Sequence, residues 1–243
     1  MDFAIELSRF WEAGIRLLYP ATCGVCKLVL TLDEAGICVS CGLRLSSLKW
    51  APEERNIAQK FQHLDSAWAL YPYESPAKDL LTGIKFFRKR WLLHLFEKEA
   101  AQWVLALHAE NHYDGLIPIP LGRYRLMHRQ FNQAEVLAHK ISQTAEIPVK
   151  PALRKKRITS PQSALARKDR LNNLRNAFRC PSKKSVKGQT LLLIDDILTT
   201  GATADEAARV LKDAGAQKVD LLALAYTLKG NESFSQVNRE FRL

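Results

Sequence analysis

The feature that most constrains the fold is an apolar run that ends in two adjacent acids and leads into a loop rich in Thr and Gly. Residues 191–206 read LLLIDDILTTGATADE, so four apolar residues precede Asp195 and Asp196. Helical periodicity follows the loop, over Ala204–Ala214. A buried strand, a short loop and a helix in this order are typical of open α/β sheets, in which ligands bind at the carboxyl ends of the strands.

The residue types in this loop suit a phosphate group. Gly201 permits a sharp turn and a close approach of the backbone to an anion, and the loop amides and the helix N-terminus offer unpaired N–H donors. Thr199, Thr200 and Thr203 add hydroxyl donors. The two carboxylates suit sugar hydroxyls or a divalent cation instead, so the pattern predicts a site for a ribose 5-phosphate. The alternative is a ligand-free helix capped by Thr203, which accounts for one threonine but not for the acid pair.

The rest of the chain alternates between strand-like and helix-like segments. Strands are predicted over Ala67–Tyr73, Gly115–Pro120, Gln189–Ile194 and Lys218–Tyr226, and helices over Pro76–Arg88, Trp91–His108, Gln133–Ala145 and Ala204–Ala214. This alternation predicts an α/β fold with a mostly parallel sheet and flanking helices. Residues 46–65 are polar and irregular, so we expect a small module over 1–65 to be connected there to a main domain over 66–243.

Four of the five cysteines form two C-x-x-C pairs that are separated by eleven residues, and they are Cys23, Cys26, Cys38 and Cys41. Four thiolates complete a tetrahedral shell around Zn²⁺ and leave no open position for catalysis. Disulfides or redox-active thiols are the alternative, and reducing conditions in the cytosol disfavour structural disulfides. We therefore expect a structural zinc ribbon. Ahead of it, apolar residues between Phe3 and Leu18 predict an amphipathic helix that docks on the main domain.

The net charge of +11 is concentrated in one segment of the chain. Residues 120–190 contain 17 Lys and Arg but only three acidic residues. Such a field favours a polyanion, either a phosphorylated small molecule or a nucleic acid. Within this segment, residues 154–176 are polar and poor in aromatics, which predicts a long flap. No apolar run is long enough for a membrane span and the first twenty residues lack a signal-peptide pattern, so we expect a cytoplasmic protein.

Residues 193–203 resemble the phosphoribosyl pyrophosphate (PRPP) motif of type I phosphoribosyltransferases. The wider pattern is similar to the ComF competence-protein family, which includes the GntX-like proteins. The segments that carry this resemblance are the LLYP run before the first cysteine pair, Ile84–Phe86, Ile117–Leu121, Arg129–Ala134, Ser163–Asn176 and the PRPP loop. One departure is Gln130, which stands where the family usually has Gly.

The resemblance implies a type I phosphoribosyltransferase fold with an N-terminal zinc ribbon, and a part in DNA uptake during natural transformation. It places the 5-phosphate of PRPP on the loop, the ribose hydroxyls on the acids, and Mg²⁺ between ribose and pyrophosphate. The pyrophosphate would follow Pro120, where Arg123, Arg125 and Arg129 are candidates. The implied PRPP-binding residues are Asp195, Asp196, Thr199, Thr200, Gly201, Ala202, Thr203, Lys85 and Arg123, and the implied catalytic residues are Asp195, Asp196 and Arg129.

Two functions of different class remain open at this point. One is a phosphoribosyltransferase, in which a nitrogen nucleophile displaces pyrophosphate from the anomeric carbon and cations stabilise the leaving group. The other is a non-catalytic module that handles single-stranded DNA, alone or with other DNA-uptake proteins, and uses the PRPP site for regulation. Phe86, Phe87, Trp91 and Phe131 are candidates for stacking on bases, although such aromatics are more often core residues. No residue pattern identifies the acceptor or the oligomeric state.

Overall fold

The structure is a computed structural model that describes residues 20–50, 56–87, 89–156 and 177–227, with the backbone alone at 123–125. The helix predicted between Phe3 and Leu18 lies outside these ranges, as does most of the flap predicted over 154–176. In the part of the chain that is described, no helix has the length and apolar character that a membrane crossing requires.

The described elements alternate much as the sequence predicts. In chain order they are α1 (Val39–Ser47), β1 (Ser66–Pro72), α2 (Ala77–Phe86), α3 (His94–Asn111), β2 (Gly115–Pro118), α4 (Arg123–Arg129), α5 (Gln133–Ala145), β3 (Arg154–Lys155), β4 (Phe178–Arg179), β5 (Thr190–Leu198), α6 (Ala202–Asp213) and β6 (Lys218–Tyr226). Short 3-10 turns lie at Ala58–Lys60, Arg90–Leu93 and Lys183–Ser185.

A four-stranded sheet forms the centre of the molecule, with strand order β1-β6-β5-β2. All three neighbouring pairs are parallel. The apolar residues Leu191–Ile194 of β5 are fully buried, as expected of a parallel strand that is covered on both faces. Helix α5 contacts β2 and β5, and α6 contacts β5 and β6. The predicted α/β fold with a parallel sheet and flanking helices is confirmed.

Strand β5 is longer than predicted, and this changes where the acid pair lies. The prediction ended the strand at Ile194, but pairing with β6 continues through Asp195↔Ala223 to Leu198↔Tyr226. The prediction was wrong because the two acids interrupt the apolar run, whereas the hydrogen bonds of the neighbouring strand carry the backbone past them. The acids are therefore held by the sheet itself, and the loop begins after Leu198.

The segment predicted as a polar connection is packed against the main domain. Trp50 and Leu64 are only 3% and 6% exposed, and the amide of Trp50 donates to the carbonyl of Leu70 in β1. The cysteine module packs on the same core, since a Cβ added to Gly24 would lie 2.8 Å from the Leu80 side chain. The sequence did not show this packing, and the proposed division of the chain at residue 65 stays a prediction.

Candidate phosphate cleft and four-cysteine cluster

A cleft of about 410 Å³ opens where β2 and β5 end. This is the edge at which parallel sheets bind ligands. Its walls come from the ends of these strands and from residues of α2, α4 and the start of the predicted flap. The lining residues are Tyr73, Lys85, Phe86, Ile119, Pro120, Leu121, Arg129, Lys155, Asp195, Asp196, Ile197, Leu198, Thr199, Thr200, Gly201, Thr203 and Ala204.

The two acids in this cleft have different partners. Asp196 is buried, and its Oδ1 lies 2.8 Å from the Lys85 Nζ while its Oδ2 lies 4.0 Å from the Arg129 Nη1. Asp195 accepts a hydrogen bond of 2.8 Å from the backbone N–H of Asp196. Burial, and then the charge of Asp196, raise the pKa of Asp195 to about 7, although that N–H, Lys85 and Arg129 oppose the shift. The pair therefore carries less than two negative charges near neutral pH, and a further cation or hydroxyl donor would favour ionisation of Asp195.

The loop after β5 presents backbone amides to the cleft. Thr199 and Thr200 are exposed, and Gly201 has a φ of +73°, a left-handed conformation that glycine adopts without strain. Helix α6 begins at Ala202 and Gly201 is its N-cap, so no side chain caps it. The alternative in which Thr203 caps the helix is wrong, because Thr203 lies within the first turn. The Ala202 amide contacts the Thr200 hydroxyl oxygen at 3.5 Å, and the first-turn amides that follow it are available to an anion.

A second loop faces the first across the cleft. It follows β2, and Ile119, Pro120 and Leu121 line the site. The loop is fixed from both sides, since the Ile119 amide donates to the Ile194 carbonyl at 3.0 Å and the Asn132 side chain donates to the Ile119 carbonyl at 3.1 Å. Arg129 then reaches the acids from the last turn of α4. The next residue, Gln130, has a φ of +65°, which explains physically why glycine suits this position.

The structure brings most of the predicted site residues to one cleft. Eight of them line it, namely Asp195, Asp196, Thr199, Thr200, Gly201, Thr203, Lys85 and Arg129. Ala202 belongs to the same loop but is not a lining residue, and Arg123 begins α4 at the far end of the second loop. The sequence did not single out Tyr73, Lys155 or Asn132. Lys155 lies in the predicted flap and lines the cleft, whereas Asn132 lies outside the cleft and holds the second loop through the Ile119 carbonyl; only packing shows either contact.

The four cysteines form a compact cluster in the N-terminal module. One sulfur atom from each of Cys23, Cys26, Cys38 and Cys41 lies within 4.8 Å of all the others, and all four are free thiols. The Sγ atoms of Cys26 and Cys38 are 3.7 Å apart. A tetrahedron with Zn–S bonds of about 2.3 Å has S···S edges of about 3.8 Å, so the cluster fits a structural zinc ion.

The pKa values of two thiols in this cluster are also shifted. Burial raises the pKa of the Cys23 thiol, but the N–H groups of Cys38, Val25 and Cys26 outweigh it and lower that pKa to about 6. The Cys23 sulfur thus accepts N–H hydrogen bonds from Val25, within its own C-x-x-C pair, and from Cys38, in the other pair. Burial and the neighbouring thiols raise the pKa of Cys41 to about 12. A bound cation would offset the electrostatic repulsion between neighbouring thiolates, in agreement with the predicted zinc ribbon.

Comparisons with known proteins agree with this architecture. Residues 132–235 match the phosphoribosyl transferase domain family. The chain is 27% identical to Competence protein F of Haemophilus influenzae, over 84% of this chain and 96% of that protein. It is also 27% identical to the DNA utilization protein YhgH of Escherichia coli K12, over 87% of this chain and 100% of that protein.

A third relative matches over a shorter region. Competence protein ComFC of Bacillus subtilis is 30% identical over 60% of this chain and 58% of its own length. The domain match covers the acid pair and the phosphate loop, and the longer matches extend the similarity to nearly the whole chain, including the second loop. The chain therefore combines the parallel sheet and strand-end cleft of a phosphoribosyl transferase domain with a four-cysteine module, and it is similar over most of its length to competence and DNA utilization proteins.

Proposed function

We propose that this protein binds PRPP together with Mg²⁺ in the cleft and takes part in DNA uptake or utilisation. The role in DNA handling comes from its relatives, which are named competence and DNA utilization proteins. The assignment of the ligand rests on one observation. The N-terminus of α6, which follows the turn at Gly201 and has no side-chain cap, lines the same cleft as the pair of adjacent acids. The first part suits a phosphate group and the second suits a diol or a cation.

The loop over 199–203 would hold the 5-phosphate of PRPP. The backbone amides at the start of α6 and the exposed hydroxyls of Thr199 and Thr200 are the donors. A dianion at this end of a twelve-residue helix also gains from the helix dipole, by roughly 1 kcal/mol. Gly201 permits this turn because its φ of +73° is a conformation that glycine adopts without strain.

The acid pair would hold the ribose hydroxyls and Mg²⁺. The carboxylate of Asp195 has no cation within salt-bridge distance among the described residues, and burial together with the charge of Asp196 raises its pKa, so a cation beside it would favour its charged form. Bound Mg²⁺ would supply charge neutralisation between this carboxylate and the pyrophosphate. Asp196 is already paired with Lys85, so we assign the direct metal contact to Asp195 and the contact with a ribose hydroxyl to Asp196.

Three cations of the cleft would face the pyrophosphate. Lys85 and Arg129 lie beside Asp196, and Lys155 lines the cleft at the base of the predicted flap. In a transfer reaction, the acceptor nitrogen would form a bond to the anomeric carbon as the bond to the pyrophosphate oxygen breaks. The acceptor would lose its proton and the pyrophosphate would leave with the electron pair. Cations that are fixed around the leaving group favour this step because negative charge develops there.

Calorimetric titration of PRPP, with and without Mg²⁺, tests the proposal. We expect binding to the wild type in the presence of Mg²⁺, and at least tenfold weaker binding to the double variant Asp195→Asn/Asp196→Asn. Asp213→Asn is the matched control, because it removes an acid from the far end of α6 and should leave the affinity unchanged. The absence of binding to the wild type would contradict the proposed ligand.

A second candidate function is the binding of single-stranded DNA on a surface beside the cleft. Phe86, Phe87 and Trp91, which we call the aromatic ridge, are 68%, 69% and 52% exposed. The general expectation that such aromatics are core residues is wrong at these three positions. The Arg129 guanidinium lies 5.7 Å from the centre of the Phe86 ring. Exposed aromatic faces next to cations are how proteins bind unpaired bases without sequence preference.

Fluorescence anisotropy with a labelled single-stranded oligonucleotide tests this second function. We expect Phe87→Ala/Trp91→Ala to weaken binding at least tenfold, since stacking contributes roughly 1–3 kcal/mol per base. Leu105→Ala is the control, because Leu105 is also an exposed apolar residue, on α3. Binding should weaken steeply with added salt. Binding that is indifferent both to salt and to the ridge would exclude this function.

A further inference from the structure

The phosphate loop has a support on the side that faces away from the cleft. A segment that follows the cysteine module, Lys60–His63, lies along the start of α6, and we call it the buttress. The ring of Phe61 occupies the space beside Gly201: a Cβ added to that glycine would lie 1.9 Å from Cε1 of the ring. Phe61 is not one of the residues that line the cleft. The ring therefore packs against the outer side of the turn whose inner side faces the ligand.

The buttress is attached to α6 through one carboxylate. Oδ1 of Asp205 accepts the backbone N–H of Gln62 at 3.0 Å and that of His63 at 2.7 Å. The backbone N–H of the same residue donates to the carbonyl of Gly201 at 2.9 Å. Asp205 thus joins the turn of the loop, the first turn of the helix and the buttress. At the other end, Lys60 Nζ lies 3.2 Å from the Tyr226 hydroxyl.

An acid at this position is unexpected if the helix end only binds phosphate. Asp205 lies in the first turn of α6, where its negative charge opposes a phosphate dianion at the same helix N-terminus. Its carboxylate accepts hydrogen bonds from two N–H groups of the buttress. The hydrogen bonds that fix the buttress therefore explain the presence of an acid at position 205, whereas its charge does not.

We infer that Asp205 and Phe61 are positioning residues that hold the Gly201 turn in its phosphate-binding conformation before the ligand arrives. The inference rests on the proposed function, because it assigns a role to a support for the same loop. A loop that is already ordered loses less conformational entropy when the ligand binds. In this inference, the free energy that binding gains from the pre-ordered loop exceeds the electrostatic repulsion between the Asp205 carboxylate and the phosphate.

The variant Asp205→Asn gives opposite results for the two roles of the acid. If the charge dominated, the neutral amide would tighten the binding of ribose 5-phosphate. If positioning dominates, binding should weaken about tenfold, because an amide oxygen accepts the two N–H bonds less strongly than a carboxylate does. Inorganic pyrophosphate, which the second loop would hold, should bind with unchanged affinity. Asp213→Asn is the matched control for charge removal on the same helix, and Phe61→Leu is a second variant that leaves Asp205 intact.

The experiment combines calorimetric titration with hydrogen–deuterium exchange of the ligand-free protein. We expect the hydrogen-bonded amides of Gln62, His63 and residue 205 to exchange about tenfold faster in Asp205→Asn and in Phe61→Leu than in the wild type, with no change in Asp213→Asn. Unchanged exchange in both variants, or tighter ribose 5-phosphate binding by Asp205→Asn, would overturn the inference. If the wild type binds neither ligand, the proposed function fails, whereas the exchange rates still decide whether the buttress orders the loop.

Discussion

Replacing Gly201 by alanine separates the backbone strain of the phosphate loop from the packing of the buttress. At a φ of +73° an L-residue costs roughly 1–2 kcal/mol more than glycine. The new methyl group would also lie 1.9 Å from Cε1 and 2.5 Å from Cζ of Phe61, so the ring has to move. Overpacking of this kind costs about 1–3 kcal/mol. The expected loss in the free energy of unfolding is therefore about 2–5 kcal/mol.

Gly188 provides a matched control for the strain alone. Its φ is +70°, and no atom lies within 4 Å of the position that a Cβ would occupy. Gly188→Ala should therefore cost only the roughly 1–2 kcal/mol of backbone strain. Denaturant unfolding of both variants measures the difference between them.

A double-mutant cycle assigns that difference to the ring. In a Phe61→Ala background, Gly201→Ala should cost no more than Gly188→Ala does, because the obstructing ring is absent. If Gly201→Ala costs the same as Gly188→Ala in the wild-type background, Phe61 does not pack on the turn. A full penalty that persists after removal of the ring would likewise refute the reasoning.

The remaining predictions concern the acid pair and the cysteine cluster. Because the pKa of Asp195 in the folded protein is about 7, above its ordinary value of 3.8, the folded state binds the extra proton and wild-type stability falls as the pH rises from about 4 to about 7. Asp195→Asn should abolish this fall, so the melting temperatures of variant and wild type should diverge across that range; a constant offset at every pH would contradict the assignment. Lys85→Met should lower the free energy of unfolding by roughly 2–4 kcal/mol, because among the described residues it leaves the buried Asp196 with the Ile197 N–H and with Arg129, at 4.0 Å, as its only cation; a stability equal to the wild type in denaturant unfolding would show that the Lys85 pair is not formed. Metal analysis should find one zinc ion per chain that Cys26→Ser removes and Cys180→Ser retains, and a chelator should lower the melting temperature; a metal-free protein with an unchanged melting curve would exclude the structural ion.

The sequence predicts the parts of the fold in which apolar periodicity and backbone pairing agree. Helix α5 and strand β6 have the predicted bounds, Gln133–Ala145 and Lys218–Tyr226. Helix α4 was not predicted, because the sequence RYRLMHR has no continuous apolar stripe. Strand β5 was predicted too short, because its last residues owe their conformation to pairing with β6 rather than to their own pattern.

The same distinction applies to the candidate site. The acid pair and the phosphate loop are contiguous in the sequence, so their residue types alone indicate a ligand. The pair between Lys85 and Asp196 joins residues that are 111 positions apart, and the contact of Asp205 with the buttress joins residues about 140 apart. No local pattern encodes such distances, so only the packed structure shows that these side chains act on the loop and on the acids.

A crystal structure of the protein with PRPP and Mg²⁺ tests the central claim most directly. We expect the 5-phosphate within hydrogen-bond distance of the backbone amides over 200–204, and the ribose hydroxyls beside Asp195 and Asp196. We also expect the pyrophosphate between the second loop, Lys85 and Arg129. A phosphate density elsewhere on the protein, with the loop over 199–203 unoccupied at saturating ligand, would contradict the account.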